Sequence, residues 1–362
     1  MKLKVMTMKK IKLMIVFCGV LATGNAMASG DEGHKTIGAI ADRLLKGTNA
    51  ATKVQALLKE GESLQSISVW ADCAKGTFCG PKTPEMEAFV LQNPSHNAYH
   101  YTNTPVNNQA YLAGGVGTTA HDIVQTLKQA IAVLQGNNTE SSNPNRFSER
   151  QALLMIAHLV GDTHQPLHVG AAYLNSNNQF VTPASKQEID GINVFDLQGG
   201  NNLLVEDKRT WTKRDQDFAK RDEAQAAASA TDGEKPKRVG KPLHLYWDVT
   251  VVENAMRNAG ARSVAEFTDV LIRESSPVAD NPGDVSTWPE QWANEGLGLS
   301  KLAHTDIIAT ERIKVTSRRG VEFSSWFITL PPNYIEMSTT MTHQQTKLAG
   351  YRLAALLKKI WP

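Results

Sequence analysis

Two histidines in this chain are each followed, four positions on, by an aspartate: His158 with Asp162, and His244 with Asp248. On a helix, side chains at i and i+4 lie on one face, one turn apart. Imidazole and carboxylate at that separation are the donor types a zinc ion takes, at about 2.0–2.2 Å from the metal. Each pair alone has a plain reading, since His158 could pack inside a core and Asp248 could pair with a lysine. Two such pairs, with His168 just beyond Pro166, constrain the fold more sharply. Distant helices must then converge on a shared cation pocket. The His-Glu-x-x-His peptidase pattern is absent from both pairs.

The surrounding periodicity is helical. Ile37, Ile40, Ala41, Leu44 and Leu45 recur at helical spacing, as do Ile123, Leu127, Ile131 and Leu134. Ser148 to Gln151 has the form of a capping box opening a helix through Leu153, Ile156, Ala157 and Val160. Ser263 to Glu266 repeats that form before Phe267, Val270 and Leu271, and Leu348, Tyr351, Ala355 and Leu356 mark a C-terminal helix. Only 312–330 reads as strand, with Ile313, Val315, Val321, Phe323, Trp326, Ile328 and Leu330 alternating as in a hairpin. The expectation is a mainly α single domain over 29–362 with a small β-hairpin. Residues 172–203, rich in Asn, Gly and Gln, read as loop. So do the charged residues 206–241, which carry Lys213, Arg214, Lys220, Arg221, Lys235, Lys237 and Arg238. That second stretch could lean over a phosphate or be a solvated insertion.

The N-terminus reads as an export signal spanning 1–28. Lys2, Lys4, Lys9, Lys10 and Lys12 precede the apolar run Leu13–Ala22, and Ala26-Met27-Ala28 has the A-x-A form. The expected location is periplasmic or secreted, with no membrane span. Cleavage removes five lysines and no acids, so 38 basic against 36 acidic side chains become 33 against 36, a net charge of −3. A broad basic surface for nucleic acid is therefore not expected. Positive charge for a phosphodiester would have to come from bound metal. Export also makes a local disulfide between Cys73 and Cys79 the expected state, with two free thiols as the alternative.

The run Gly161-Asp162-Thr163-His164-Gln165-Pro166-Leu167-His168 resembles the signature of the zinc-dependent nuclease family typified by nuclease S-one and nuclease P-one. Zinc phospholipase C is a more distant relative of that family and the alternative reading. The resemblance extends through Gly33-His34, Val69-Trp70-Ala71-Asp72, Tyr99-His100-Tyr101, Gly199-Gly200-Asn201, Leu243-His244 to Asp248, and the tail Leu348 to Ala354. It implies the nuclease P-one-like helical fold and three zinc ions. Asp72, His100, His158 and Asp162 would hold one. Asp162, His34 and the mature N-terminal residue would hold a second, and His168, His244 and Asp248 the third. Counting back from His34 makes that terminal residue Ser29, where the family has Trp; main-chain atoms would bind, so Ser29 can still supply them. His96, His121, His164, His304 and His343 are left as structural or surface residues.

The resemblance implies chemistry as well. Zinc-activated water attacks phosphorus in line, the 3′-oxygen leaves, and 5′-phosphates result. Asp72 would orient the water and Lys75 would neutralise phosphate charge, a plain surface lysine being the alternative. Tyr101 would stack on the base, and Asn103 stands where the family has a base-reading Asp. The implied substrates are single-stranded DNA or RNA and 3′-nucleotides, handled by a monomer.

Overall fold

The computed structural model describes residues 31–76, 79–207, 211, 216, 240–274, 278–316 and 321–362. The export signal, Ser29 and the basic residues Lys213, Arg214, Lys220, Arg221, Lys235, Lys237 and Arg238 lie outside the described residues. Helices dominate. The helix Glu149–Thr163 runs through the middle and buries every residue from Ala152 to Thr163. Its start is set locally: Ser148 Oγ accepts from the Gln151 N–H at 3.1 Å, and Gln151 Oε1 accepts from the Ser148 N–H at 2.9 Å. It stops three residues before Pro166, which has no N–H to continue a ladder.

Around it pack Asp31–Leu44, Ile123–Leu134, Trp288–His304 and the long Tyr334–Ile360. Ile37, Ala41, Leu127, Ile131, Leu153, Ile156, Val160 and Leu353 share one apolar cluster. Each large aliphatic side chain so buried stabilises the fold by about 1.5–3 kcal/mol. A helix apolar on all sides has to be interior. His158, 0% exposed, and Asp162, 2% exposed, are therefore polar groups that the core must satisfy.

The hairpin is present, built from Ile308–Thr316 and Glu322–Thr329. It is half of a four-stranded sheet in the order Lys241–Pro242, Leu203–Val205, Glu322–Thr329, Ile308–Thr316. Leu203 and Arg312 flank Trp326 on its two neighbours. Ser325 through Ile328 are all buried, so alternation ends where neighbouring elements cover both faces of the strand.

Three expectations need correction. Strand is not confined to the hairpin: Tyr173–Asn175 pairs with Phe180–Val181 and Val194–Asp196 inside the supposed loop 172–203. Strands of two or three residues are too short to show alternation. Ser263 Oγ does cap the Glu266 N–H, yet Glu266 reaches the N–H of Arg262, so the second capping box is only half formed. The expected C-terminal helix is present, but of Leu348, Tyr351, Ala355 and Leu356 only Leu356 is fully buried; the core face is completed by Ala349, Gly350, Leu353, Ala354 and Leu357.

Candidate metal centre

The central helix places His158 and Asp162 one turn apart, with His158 Nε2 3.1 Å from Asp162 Oδ2. His158 Nδ1 donates to the Ser68 carbonyl at 2.6 Å. That bond orients the ring and turns Nε2 toward the carboxylates. His100 ends the short 3₁₀ helix His96–His100 and brings Nδ1 to 3.0 Å from Asp162 Oδ2 and 3.1 Å from His158 Nε2. Asp72, in the helix Trp70–Lys75, closes the group at 3.5 Å from His100 Nδ1 and 3.7 Å from His158 Nε2.

A tetrahedral ion with bonds of about 2.0–2.2 Å needs donor atoms roughly 3.3–3.6 Å apart. The donors of Asp72, His100, His158 and Asp162 meet at 3.0–3.7 Å. Two imidazole nitrogens converging on two carboxylates, with no thiol among them, form a donor set suited to zinc. Cys73 and Cys79 are joined in a disulfide and take no part.

Asp162 faces two ways. Its Oδ1 lies 3.1 Å from His34 Nε2, whereas Oδ2 serves His100 and His158. The His34 ring stacks on His158 with centroids 4.0 Å apart. This approach depends on Gly161, where a Cβ would come within 2.7 Å of His34 Nδ1. His34 Nδ1 is itself buried without a hydrogen-bond partner among the described residues.

The second pair is built differently. Leu243–Leu245 is α-helical, Tyr246–Thr250 is a π-turn, and the α-helix resumes at Val251–Asn258. The regular helix expected over His244 to Asp248 is thus a helix with one wide turn, closed by the Val251 N–H on the Tyr246 carbonyl. His244 Nε2 still reaches 3.5 Å from Asp248 Oδ2, and His168 Nε2 sits 3.5 Å from Asp248 Oδ1. Both rings again spend Nδ1 on backbone. His168 bonds the His100 carbonyl at 2.7 Å and His244 the Gly199 carbonyl at 2.8 Å. Gly199 has φ +56, and a Cβ there would lie 2.3 Å from the Leu167 carbonyl oxygen.

Electrostatics separate the histidines. Burial, followed by the charge of Lys75, pulls His100 down to about 3, and burial also lowers His244. These two rings stay neutral, the form that binds metal. Burial resists charge on His168 as well, but Asp162 and Asp248 outweigh it and lift the ring to about 9. Burial works against the Asp248 charge, yet His244 and His168 hold that carboxyl at about 2. Burial likewise opposes charge on Asp162, and His158 and His168 still hold it well below the carboxylate range.

All these side chains except His158 border one cavity of about 640 Å³, together with Lys75, Tyr101 and Asn103. Lys75 Nζ is 3.3 Å from Asp72 Oδ1. Tyr101 is 39% exposed at the cavity wall. His164 also borders the cavity, but both its nitrogens are engaged, with the Val160 carbonyl and with Arg352. Two residues escaped the sequence reading. Gln165 donates to Asp248 Oδ1 at 2.8 Å, and Asp196 accepts from the Asn103 amide at 2.8 Å. Gln165 stands inside the Gly161–His168 run and was findable there. Asp196 sits in an Asn- and Gly-rich stretch with no local signal.

Known proteins resemble this chain over most of its length. Endonuclease 2 of Arabidopsis thaliana is 23% identical over 354 residues, covering 97% of this chain and 97% of that protein. Endonuclease 4 of the same plant is 21% identical over 342 residues, covering 93% and 90%. A family model described as S1/P1 Nuclease matches residues 29–221 and 222–362. The chain belongs to the S1/P1 nuclease family.

Proposed function

We propose that this chain is an exported, zinc-dependent nuclease that cleaves single-stranded DNA and RNA and removes phosphate from 3′-nucleotides. Family membership supports the coarser part, a hydrolase of phosphodiester bonds. The observation that carries the finer part is Asp162, whose two oxygens face separate sets of imidazoles, as a carboxylate bridging two adjacent ions must. Asp72, His100 and His158 would complete one zinc site with Asp162. His34 would join Asp162 in a second, alongside the amine and carbonyl of a cleaved chain starting at Ser29. His168, His244 and Asp248 would hold the third.

Bound zinc would supply an acidified water and charge stabilisation for the departing oxygen. The chain's own residues do the rest. Asp72 stands between two imidazoles and Lys75, with about a third of its side chain open (32%), where it can accept a hydrogen bond from an attacking water and orient it. The Lys75 ammonium is held charged: burial opposes its charge, but Asp72 and Asp162 outweigh burial and raise its pKa. It can meet a phosphate oxygen. Tyr101 offers a face on which an unpaired base can stack, worth about 1–3 kcal/mol and indifferent to sequence. Bases held in a duplex cannot reach that face without flipping, which supports a single-strand preference.

Export is supported by the Ala26-Met27-Ala28 pattern, by a family match beginning at residue 29, and by the Cys73–Cys79 disulfide. The test is hydrolysis of single- and double-stranded DNA, RNA, 3′-AMP and phosphatidylcholine by the processed protein, before and after chelation. Zinc-restored activity on single strands and 3′-AMP is the expected result. Turnover of the lipid alone would overturn it.

A further inference from the structure

We infer that Asp196 determines which bases this nuclease accepts, by fixing the orientation of the Asn103 amide. The inference rests on the reading above and names a specificity determinant for that same cavity. Asn103 Nδ2 lies 2.8 Å from Asp196 Oδ2. A carboxylate oxygen only accepts, so the amide must present its NH₂ there and turn its carbonyl oxygen the other way. Isolated asparagines choose between two flips; this one has a single choice.

The frame around the pair is rigid. The Asn103 N–H donates to the Gly117 carbonyl at 2.9 Å, and the Tyr173 hydroxyl donates to the Asn103 carbonyl at 2.6 Å. Asp196 Oδ1 accepts from the Gln198 N–H at 2.7 Å at the end of the strand Val194–Asp196. Tyr101, Asn103 and Asp196 all line the cavity that holds the metal donors. Tyr101 has extended backbone two residues before Asn103, and both border the cavity. A base resting on Tyr101 then turns its edge toward the Asn103 side-chain oxygen, with Asp196 behind the amide.

That edge meets an acceptor. Guanine offers N1–H and an amino group, and adenine and cytosine offer an amino group. Uracil offers one N–H between two carbonyls, which would face that acceptor unfavourably. A site that hydrogen-bonds a donor discriminates against a substrate lacking it, because its own polar groups are then left unpaired. Asp196 is a positioning residue in this scheme: it acts on the base through Asn103 and touches no reacting atom.

The experiment measures kcat/KM of the processed zinc-loaded protein for 3′-GMP and 3′-UMP, each normalised to a base-free diester, bis(p-nitrophenyl) phosphate. The wild-type chain should favour 3′-GMP roughly tenfold or more, through KM rather than kcat. Asp196→Asn keeps the size and the acceptor for Gln198 but turns an NH₂ toward Asn103, which forces the opposite flip of the Asn103 amide, so the ratio should fall to within about threefold or invert. Asn103→Ser should flatten the ratio similarly, and Asp196→Asn should add nothing to it. A wild-type chain that treats the two bases alike overturns the inference without any variant, as does an Asp196→Asn protein that keeps the wild-type ratio. If Asp196→Asn fails to fold, the wild-type and Asn103→Ser ratios decide. A protein that turns over neither nucleotide nor single-stranded DNA refutes the nuclease reading itself, and this inference with it.

Discussion

His158 and Asp162 occupy the last two turns of a regular helix, at 0% and 2% exposure, with His158 inside the core and Asp162 at the floor of the cavity. His244 and Asp248 have the same spacing but span a π-turn at the cavity wall, with 15% and 29% of their side chains exposed. The first pair shares its carboxylate with His34 and His100, and its imidazole is anchored to the Ser68 carbonyl. The second leans on a glycine-shaped turn and on the Gln165 amide. The same four-residue interval thus produces one donor group inseparable from the fold and another fitted to its edge. The groups meet at His168, whose Nδ1 donates to the His100 carbonyl and lies 3.8 Å from Asp162 Oδ2. Losing the inner group should damage both fold and catalysis; losing the outer one should damage catalysis alone.

Asp162→Asn should show the largest effect. An amide cannot bridge two cations as a carboxylate does, and several kcal/mol of transition-state stabilisation corresponds to a fall in turnover of roughly a thousandfold. Near-normal turnover would erase the distinction between the groups. Chelation comes next. Metal binding contributes folding free energy, so EDTA should lower the melting temperature, and by more in the wild type than in an Asp162→Asn protein already missing inner ions. Asp248→Asn should cost one equivalent of zinc and most of the activity while shifting the melting temperature little. A large shift there would place the outer group in the core after all.

His164→Ala sharpens the comparison from the other side. It removes a partner of the Arg352 guanidinium and should destabilise by about 2–3 kcal/mol while leaving zinc content unchanged. Smallest is Lys75→Met. The expected change is a rise in KM of roughly three- to tenfold, fading in high salt, since one partly exposed cation is screened.

The inner group was largely legible in the sequence. His158-x3-Asp162, Trp70-Ala71-Asp72 and His100 stand in recognisable runs, and a helical interval maps directly onto a shared face. Helix starts marked by Ser148 and Ser263 were legible for the same reason, since a cap is a local device. What escaped depends on distant chain. Whether Leu348 or Leu353 faces the core is decided by the Asp31–Leu44 helix against which it packs, and single-sequence periodicity cannot resolve one position in a long amphipathic run. The π-turn adds one residue that no spacing rule announces. Asp196 meets Asn103 across 93 positions, through a three-residue strand whose pairing sets its direction.

Metal analysis of the processed, purified chain tests the central claim most directly. Three zinc ions per chain should be found, removed by EDTA together with hydrolysis of single-stranded DNA and regained with it when zinc is restored. A fully active protein containing no zinc would contradict the account.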